Sequence, residues 1–163
     1  MNFILEMEPI VGTNWGMSLA RLLDKPVWDT LRREVYANAR YVCQICGATD
    51  TVMNCHEVWK YKDKKKVQFL ADMECICTKC HDIKHWGRTV AVVHQGQLST
   101  KYLQELTDHF CKINQCTPMD FELHKSLVGN QMEKRNKFRY KIDWGKFTPE
   151  RVTKAWIERQ KNK

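Results

Sequence analysis

The sequence contains no apolar run that approaches the roughly 18 residues needed to cross a bilayer, which argues against a helical membrane protein. Residues 1–6 lack a basic stretch followed by a long apolar one, so we expect no signal peptide and a cytoplasmic protein. Internal repeats and low-complexity tracts are also missing. What is left is a chain of 163 residues, which suits one ordinary domain or a small domain with appendages.

Basic residues are unevenly distributed along the chain. Residues 1–124 carry 15 Lys and Arg against 15 Asp and Glu, whereas residues 125–163 carry 12 against 4. The formal net charge of +8 therefore lies entirely in the last part. A neutral body with a basic end is typical of a protein that binds a polyanion, although a solvated helix surface gives the same pattern.

Four of the eight cysteines form two Cys-x-x-Cys pairs, at Cys43, Cys46, Cys77 and Cys80. In a chain without an export signal this spacing favours zinc thiolates over disulfides. Gly47 allows the positive φ of a zinc knuckle, and Zn²⁺ takes four thiolates in a closed tetrahedron. We therefore predict a structural zinc site, with four buried free thiols as the alternative. Cys111 and Cys116 are expected to be small buried apolar residues.

Hydrophobic periodicity predicts helices over 26–40, after Ser99, from Pro118 and from Pro149. Residues 51–59 and 67–70 are expected to form a hairpin, and residues 140–147 an extended arm. A helix at the second knuckle would place His81 and His85 four residues apart on one face, where both can reach one ion. His56 lies in the first strand, where a lone histidine is most often a core or surface residue.

These residues together resemble the HNH (ββα-metal, or His-Me finger) endonuclease motif in its zinc-knuckle form, which has a four-cysteine zinc site. The similarity covers residues 43–85 and rests on the cysteine pairs, His56 and the Cys-x-x-Cys-His-x-x-x-His run ending at His85. That run, and the spacing from Asp72 to His81, also resemble the metal site of the nuclease colicins. The phrase His-Glu-Val-Trp at 56–59 is similar to small HNH proteins of phages and bacteria.

The resemblance implies roles for individual residues. His56 would be the general base, Asp72 would stand in place of the usual Asn that orients it, and His81 and His85 would bind one divalent cation. Cys55 occupies the position of a further ligand that is normally Asp or His. Either its thiolate binds the ion and favours Zn²⁺ over Mg²⁺, or Glu57 or water completes the shell, or the site is degenerate.

Two basic clusters interleaved with aromatic residues are candidate phosphate contacts. The first lies on the hairpin and the second in the basic C-terminal part; their members are Lys60, Lys62, Lys64, Lys65 and Lys66, and Lys134, Arg135, Lys137, Arg139 and Lys141. For any single lysine, simple solvation explains the charge equally well.

The sequence thus predicts an α+β protein with a ββα-metal core over 41–90. An arm and helix over 1–40 would precede this core, and a basic helical extension over 91–163 would follow it. The expected function is a metal-dependent endonuclease acting on double-stranded DNA, in the host cytoplasm if phage-encoded, with no membrane partner. Its cofactors would be a structural Zn²⁺ and a second divalent cation (Mg²⁺, Mn²⁺, Ni²⁺ or Zn²⁺). A non-catalytic zinc module that binds nucleic acid and a phage regulatory protein remain as alternatives, and a homodimer or protein partner stays open.

Overall fold

The computed structural model describes residues 3–162, which fold into an α+β structure with a small three-stranded sheet. In chain order the elements are α1 (Leu19–Leu22), α2 (Lys25–Asn38), β1 (Met53–Lys62), β2 (Val67–Cys77), α3 (Thr78–Lys84), α4 (Trp86–His94), α5 (Thr100–Asn114), α6 (Pro118–Asn136), β3 (Lys141–Asp143) and α7 (Pro149–Lys161). Across this described range no helix is both long enough and apolar enough to span a bilayer.

The predicted hairpin is confirmed, and it is longer than expected. β1 pairs antiparallel with β2 from Met53↔Cys77 to Lys62↔Val67, with an irregularity in register between Val58 and Trp59. The predicted second strand ended at Leu70, before the polar residues Asp72 and Glu74. The register shift lets the ladder continue past them, so that β2 runs directly into the second cysteine pair.

The expected extended arm near the C-terminus is confirmed only in its first part. β3 pairs parallel with β2 through Val67↔Lys141 and Phe69↔Asp143, and a 3₁₀ turn over Gly145–Phe147 follows. The sheet order β1-β2-β3 leaves β1 at one edge. The C-terminal basic segment is thereby brought beside the turn of the hairpin.

Helix boundaries follow the local signals closely. α2 begins beside Pro26, α6 has Pro118 in its first turn, and α7 has Pro149 there, because the ring fixes φ near the helical value. Thr117 and Asp120 form a capping box at the start of α6. The predicted helices are therefore confirmed, and α2 differs from the predicted 26–40 by one residue at its start and two at its end.

Two hydrophobic clusters hold the elements together. The first surrounds the cysteine pairs and joins α3, α5 and α6 through Ile83, Leu106, Phe110 and Phe121. The second lies between α1, α2 and the sheet, with Leu19, Val27, Trp59, Leu70 and Met73 at its centre. The histidines of interest lie at the junction between the sheet and α3.

The N-terminal segment, residues 3–15, runs as an arm across this junction. Asn114 binds the backbone of Ile4 and Leu5, and Tyr61 donates to the carbonyl of Pro9 at 2.9 Å. Leu5 is fully buried and Val11 nearly so. These contacts fix the path of the arm and place Glu8 over His56.

Candidate metal centres

The four paired cysteines converge as predicted. One ligand atom from each of Cys43, Cys46, Cys77 and Cys80 lies within 4.8 Å of all the others. Cys46 Sγ is 3.6 Å from Cys77 Sγ, close to the edge of about 3.8 Å of a tetrahedron with Zn–S bonds of about 2.3 Å. The cluster therefore fits a metal such as Zn²⁺.

Local backbone structure explains how each knuckle presents its sulfurs. Gly47 has φ +73°, and its N–H donates to the carbonyl of Cys43 at 2.9 Å, which closes the first knuckle. The second knuckle spans the end of β2 and the first turn of α3: Cys77 is the N-cap residue and Cys80 lies one turn later. A strand that passes directly into a helix thus supplies two ligands on one side.

The pKa values of the thiols reflect their crowding. The pKa of Cys43 is lowered because the thiols of Cys77 and Cys80 hydrogen-bond to it. The pKa of Cys80 is raised by its hydrogen bonds with Cys43 and Cys77. One thiolate surrounded by thiol donors is an arrangement in which a cation can replace the shared protons. His109 Nε2, on α5, lies 3.3 Å from Cys80 Sγ, which suits an N–H donor to a metal-bound thiolate.

A second cluster consists of His56, His81 and His85. One ring nitrogen from each lies within 4.8 Å of the other two. The His81 and His85 ring centroids are 4.7 Å apart, and His56 and His85 are 4.9 Å apart. His85 is the residue between α3 and α4, yet its N–H still donates to the His81 carbonyl at 3.0 Å, so the predicted one-face placement holds.

His56 is buried and has one ring nitrogen that the described part of the protein leaves without a partner. Only 2% of the residue is exposed, and its Nε2 lies 2.9 Å from Glu8 Oε2. Its Nδ1 is buried and has no hydrogen-bond partner among the described residues 3–162. A buried polar atom without a partner is costly, and a cation between the three rings would satisfy it.

The imidazoles suit this role electrostatically. The pKa of His85 is lowered to about 3, first by burial and then by the neighbouring His56 and His81, so the ring is neutral around neutral pH. A neutral ring has a lone pair available for a cation. The donor set therefore fits a divalent transition metal better than Mg²⁺, which prefers oxygen ligands.

Glu8 belongs to a buried ionic group beside the histidines. Lys84 contacts the Glu8 carboxylate and lies 3.0 Å from Glu74 Oε1, without hydrogen-bond geometry in the second contact. Burial raises the pKa of Glu8, but the hydrogen bond to His56 and the charges of His56 and Lys84 outweigh it and lower the pKa to about 2. Glu8 is therefore an anionic acceptor that holds the His56 ring in place.

Comparisons with protein-family models, curated proteins and solved structures find no match. The HNH relationship consequently remains a prediction from the motif.

Three of the predicted site residues lie elsewhere than expected. Asp72 is exposed, accepts from the N–H of Met73 and pairs with Lys146 at 3.2 Å, so the residue that orients His56 is Glu8 and not Asp72. Cys55 lies next to His56 in β1 and therefore points to the opposite face, against the second hydrophobic cluster. Glu57 shares that face and accepts from the N–H of Leu19 at 2.6 Å.

A cleft of about 640 Å³ adjoins the three histidines. Glu8, His56, His81 and His85 line one part of it, and Glu57 lines another. Burial raises the pKa of Glu57, partly offset by the Leu19 hydrogen bond. Indole and cationic side chains complete the wall; they include Trp15, Trp28, Trp86, Arg21, Arg88 and Lys125.

The two predicted basic clusters meet at the turn of the hairpin. The N–H of Lys141 donates to the carbonyl of Lys66 at 2.9 Å, and Lys66 lies 3.7 Å from the ring centroid of Phe138. Arg135 is committed to internal contacts, because it pairs with Asp63 at 2.9 Å and stacks over Tyr61 at 3.9 Å. Its predicted role in binding DNA is therefore replaced by a structural one. Lys66 is half-buried, and the remaining basic residues of the two clusters are exposed. These exposed residues form what we call the hairpin patch.

Several residues of the site carry no signal in the sequence. Glu8 lies in an arm without periodicity, and Lys84 follows the helical pattern of an ordinary surface lysine. Arg21 and Arg88 are single arginines outside both basic clusters. Only the path of the chain brings them to the histidines.

Proposed function

We propose that this protein is a metal-dependent endonuclease of the HNH type that hydrolyses phosphodiester bonds in DNA. The observation that carries the proposal is the unpartnered, buried Nδ1 of His56, in a ring whose centroid lies 5.6 Å and 4.9 Å from those of His81 and His85, beside a separate four-cysteine cluster. The cysteine cluster is closed by its four ligands. The three histidines would hold a divalent ion with three protein ligands, fewer than the four of the cysteine cluster, and such an ion would be able to bind substrate or water, as in catalytic zinc sites.

In this proposal His56 is a ligand and not the general base. Its Nε2 lies 2.9 Å from Glu8 Oε2 and its Nδ1 is buried, so neither nitrogen is open to an attacking water. A divalent ion held by the three rings would polarise a phosphoryl oxygen and lower the pKa of water. Glu57 lies on the opposite face of β1 from His56, but its carboxylate lines another part of the same cleft and burial raises its pKa, so it is the proposed proton acceptor.

The hairpin patch would supply the electrostatic part of DNA binding. Exposed Lys and Arg side chains neutralise phosphates and release counterions. Lys62 lies six residues from His56 along β1, which corresponds to about 20 Å at strand spacing. The patch would therefore hold DNA at a distance from the site of hydrolysis.

Metal content and cleavage together test the proposal. We expect two divalent ions per chain in the parent protein, and one in His81→Ala. The parent should nick plasmid DNA with added Zn²⁺, Ni²⁺ or Mn²⁺, and chelator should stop it. Glu57→Gln should keep both ions and lose most of the cleavage rate.

His94→Ala is the matched control for the histidine variant, since His94 is exposed on α4 and lies outside the cluster. It should retain both ions and full activity. If the parent contains one zinc per chain and cleaves DNA with none of the added metals, the proposal is wrong. The alternative of a non-catalytic zinc module that binds nucleic acid would then hold.

A further inference from the structure

Two kinds of side chain combine in the walls of the cleft, indoles and cations. The indoles of Trp15, Trp28 and Trp86 line it, and Trp15 is 68% exposed. The Trp15 ring is held in place because its N–H donates to the carbonyl of Ile10 at 3.0 Å. A fixed and exposed indole face offers a stacking surface for a flat aromatic group.

The cations of the cleft are available for an anion. Within residues 3–162, neither Arg21 nor Arg88 forms an ion pair with a carboxylate. Lys125 pairs with Glu122 at 2.8 Å and lies 5.9 Å from the centroid of the Trp86 ring. The wall holds two carboxylates, those of Glu8 and Glu57, against four cationic side chains, those of Arg21, Lys84, Arg88 and Lys125. The surplus charge is thus positive before any metal is counted.

A ligand that satisfies both features has an anionic group and an aromatic ring. We infer that the cleft binds one unpaired nucleotide, with its base against Trp15 and its phosphate between Arg21, Arg88 and the histidine cluster. This inference rests on the proposed nuclease function and specifies its substrate as a single-stranded or flipped-out nucleotide.

The shape of the cleft favours this substrate over intact duplex. A volume of about 640 Å³ is in the range of sites that enclose a small molecule, roughly 300–1,000 Å³. In a duplex the base faces are stacked and paired, so an indole reaches one only after the nucleotide leaves the helix. Single-stranded nucleic acid exposes its bases without that cost, and stacking on an aromatic side chain tolerates any base.

Binding of fluorescein-labelled oligonucleotides to the full-length, zinc-loaded protein tests the inference without requiring catalysis. The probes are single-stranded dT12, its RNA counterpart rU12, and a 12-base-pair duplex. Trp15→Ala and Arg88→Gln should each weaken binding of the single strands at least tenfold, as loss of one stacked base or one phosphate contact predicts. Their effect on the duplex should stay below twofold, because the duplex would use the hairpin patch. The ratio of dT12 to rU12 affinity then distinguishes DNA from RNA as the source of the nucleotide.

Two exposed residues outside the cleft serve as matched controls: Tyr41→Ala for the aromatic side chain and Arg33→Gln for the cation. Both should bind all three probes like the parent. Unchanged single-strand affinity in Trp15→Ala, or an equal loss for single strand and duplex, would overturn the inference.

Cleavage separates this inference from the proposed function. Metal-dependent cutting of duplex at the single-strand rate, with no effect of Trp15→Ala, keeps the nuclease and rejects the nucleotide cleft. Single-strand binding that depends on Trp15, without cleavage of any probe, keeps the cleft and rejects the nuclease.

Discussion

The carboxylate of Glu8 lies 2.9 Å from Nε2 of His56, although the two residues are 48 positions apart in the sequence. The other nitrogen of the buried ring, Nδ1, has no hydrogen-bond partner among the described residues, and the ring packs against those of His81 and His85. A carboxylate behind a histidine in this way fixes the ring and its tautomer and raises its basicity as a ligand. The N-terminal arm is therefore part of the site, not an appendage to it.

Replacing this carboxylate should weaken the second metal site. We expect Glu8→Gln to lower metal affinity at the histidine cluster by about 10–100-fold, because the ring loses its charged partner. Competition with a chelating indicator measures the effect, while the ion in the cysteine cluster stays bound. Glu6 lies two residues earlier in the arm and is exposed, so Glu6→Gln should bind metal at the histidine cluster as tightly as the parent does. Equal affinities in Glu8→Gln and the parent would refute the role of Glu8.

Removing one ligand of the cysteine cluster should destabilise the whole fold. Cys43 is nearly fully buried and belongs to the first hydrophobic cluster, so Cys43→Ser removes a metal ligand and part of the core packing. Loss of a structural metal is one of the few changes that cost more than about 4 kcal/mol. The melting temperature of Cys43→Ser should be much lower than that of the parent. Excess chelator should lower the melting temperature of the parent by a similar amount. Cys116→Ser, outside the cluster, is the control, and a similar loss there would contradict the assignment.

The contact between Asp63 and Arg135 should respond to pH. The hydrogen bond from Arg135, with that from Tyr140, lowers the pKa of Asp63 despite partial burial. A carboxylate with a lowered pKa contributes stability above its ordinary pKa, and that contribution disappears as the pH falls through the folded value. Asp63→Asn should therefore be less stable than the parent at pH 6. The difference in the free energy of unfolding should be less than about 1 kcal/mol, because Asp63 is exposed to solvent. The difference, measured by urea unfolding, should narrow below about pH 4; a difference that is constant down to pH 3 would contradict this account.

Binding to duplex DNA should depend steeply on salt if the hairpin patch contacts phosphates. Affinity is expected to fall markedly between about 50 and 200 mM salt. Each lysine that contacts a phosphate contributes about 1 to the slope of log affinity against log salt. The double variant Lys134→Gln with Lys137→Gln should thus reduce the slope by about 2, whereas Lys101→Gln on α5 should not change it. A duplex affinity of the parent that does not change with salt would contradict the proposed phosphate contacts of the hairpin patch.

Local sequence was enough to predict the elements and one of the two clusters. The four cysteines lie on short knuckles whose geometry is set by nearby residues, so their spacing alone predicted the convergence now seen. The pairing of His81 with His85 was predictable for the same reason, since positions four apart on a helix face the same way.

Two of the three errors, those at Asp72 and Arg135, concern contacts across the chain, and the third, at Cys55, concerns the alternation of a strand. Asp72 lies at a plausible distance from His56 in sequence, but the ladder places it opposite Val58, and its side chain pairs with Lys146. Cys55 follows the strict alternation of a strand, which turns it away when His56 turns inward. Arg135 looked like a phosphate contact because no local feature reveals that Asp63, 72 residues away, accepts its hydrogen bonds.

The sequence by itself determined the cysteine cluster, the hairpin and the two helical histidines, because each depends on residues within a few positions of one another. The motif had already placed His56 beside the other two histidines, whereas the tertiary structure alone decided that Glu8 orients His56 and that Arg21, Arg88 and Trp15 line the adjoining cleft. Those contacts depend on how the arm packs over the sheet and α3. Packing of that kind is set by the burial of residues such as Leu5 and Val11 in the whole molecule, which no local pattern encodes.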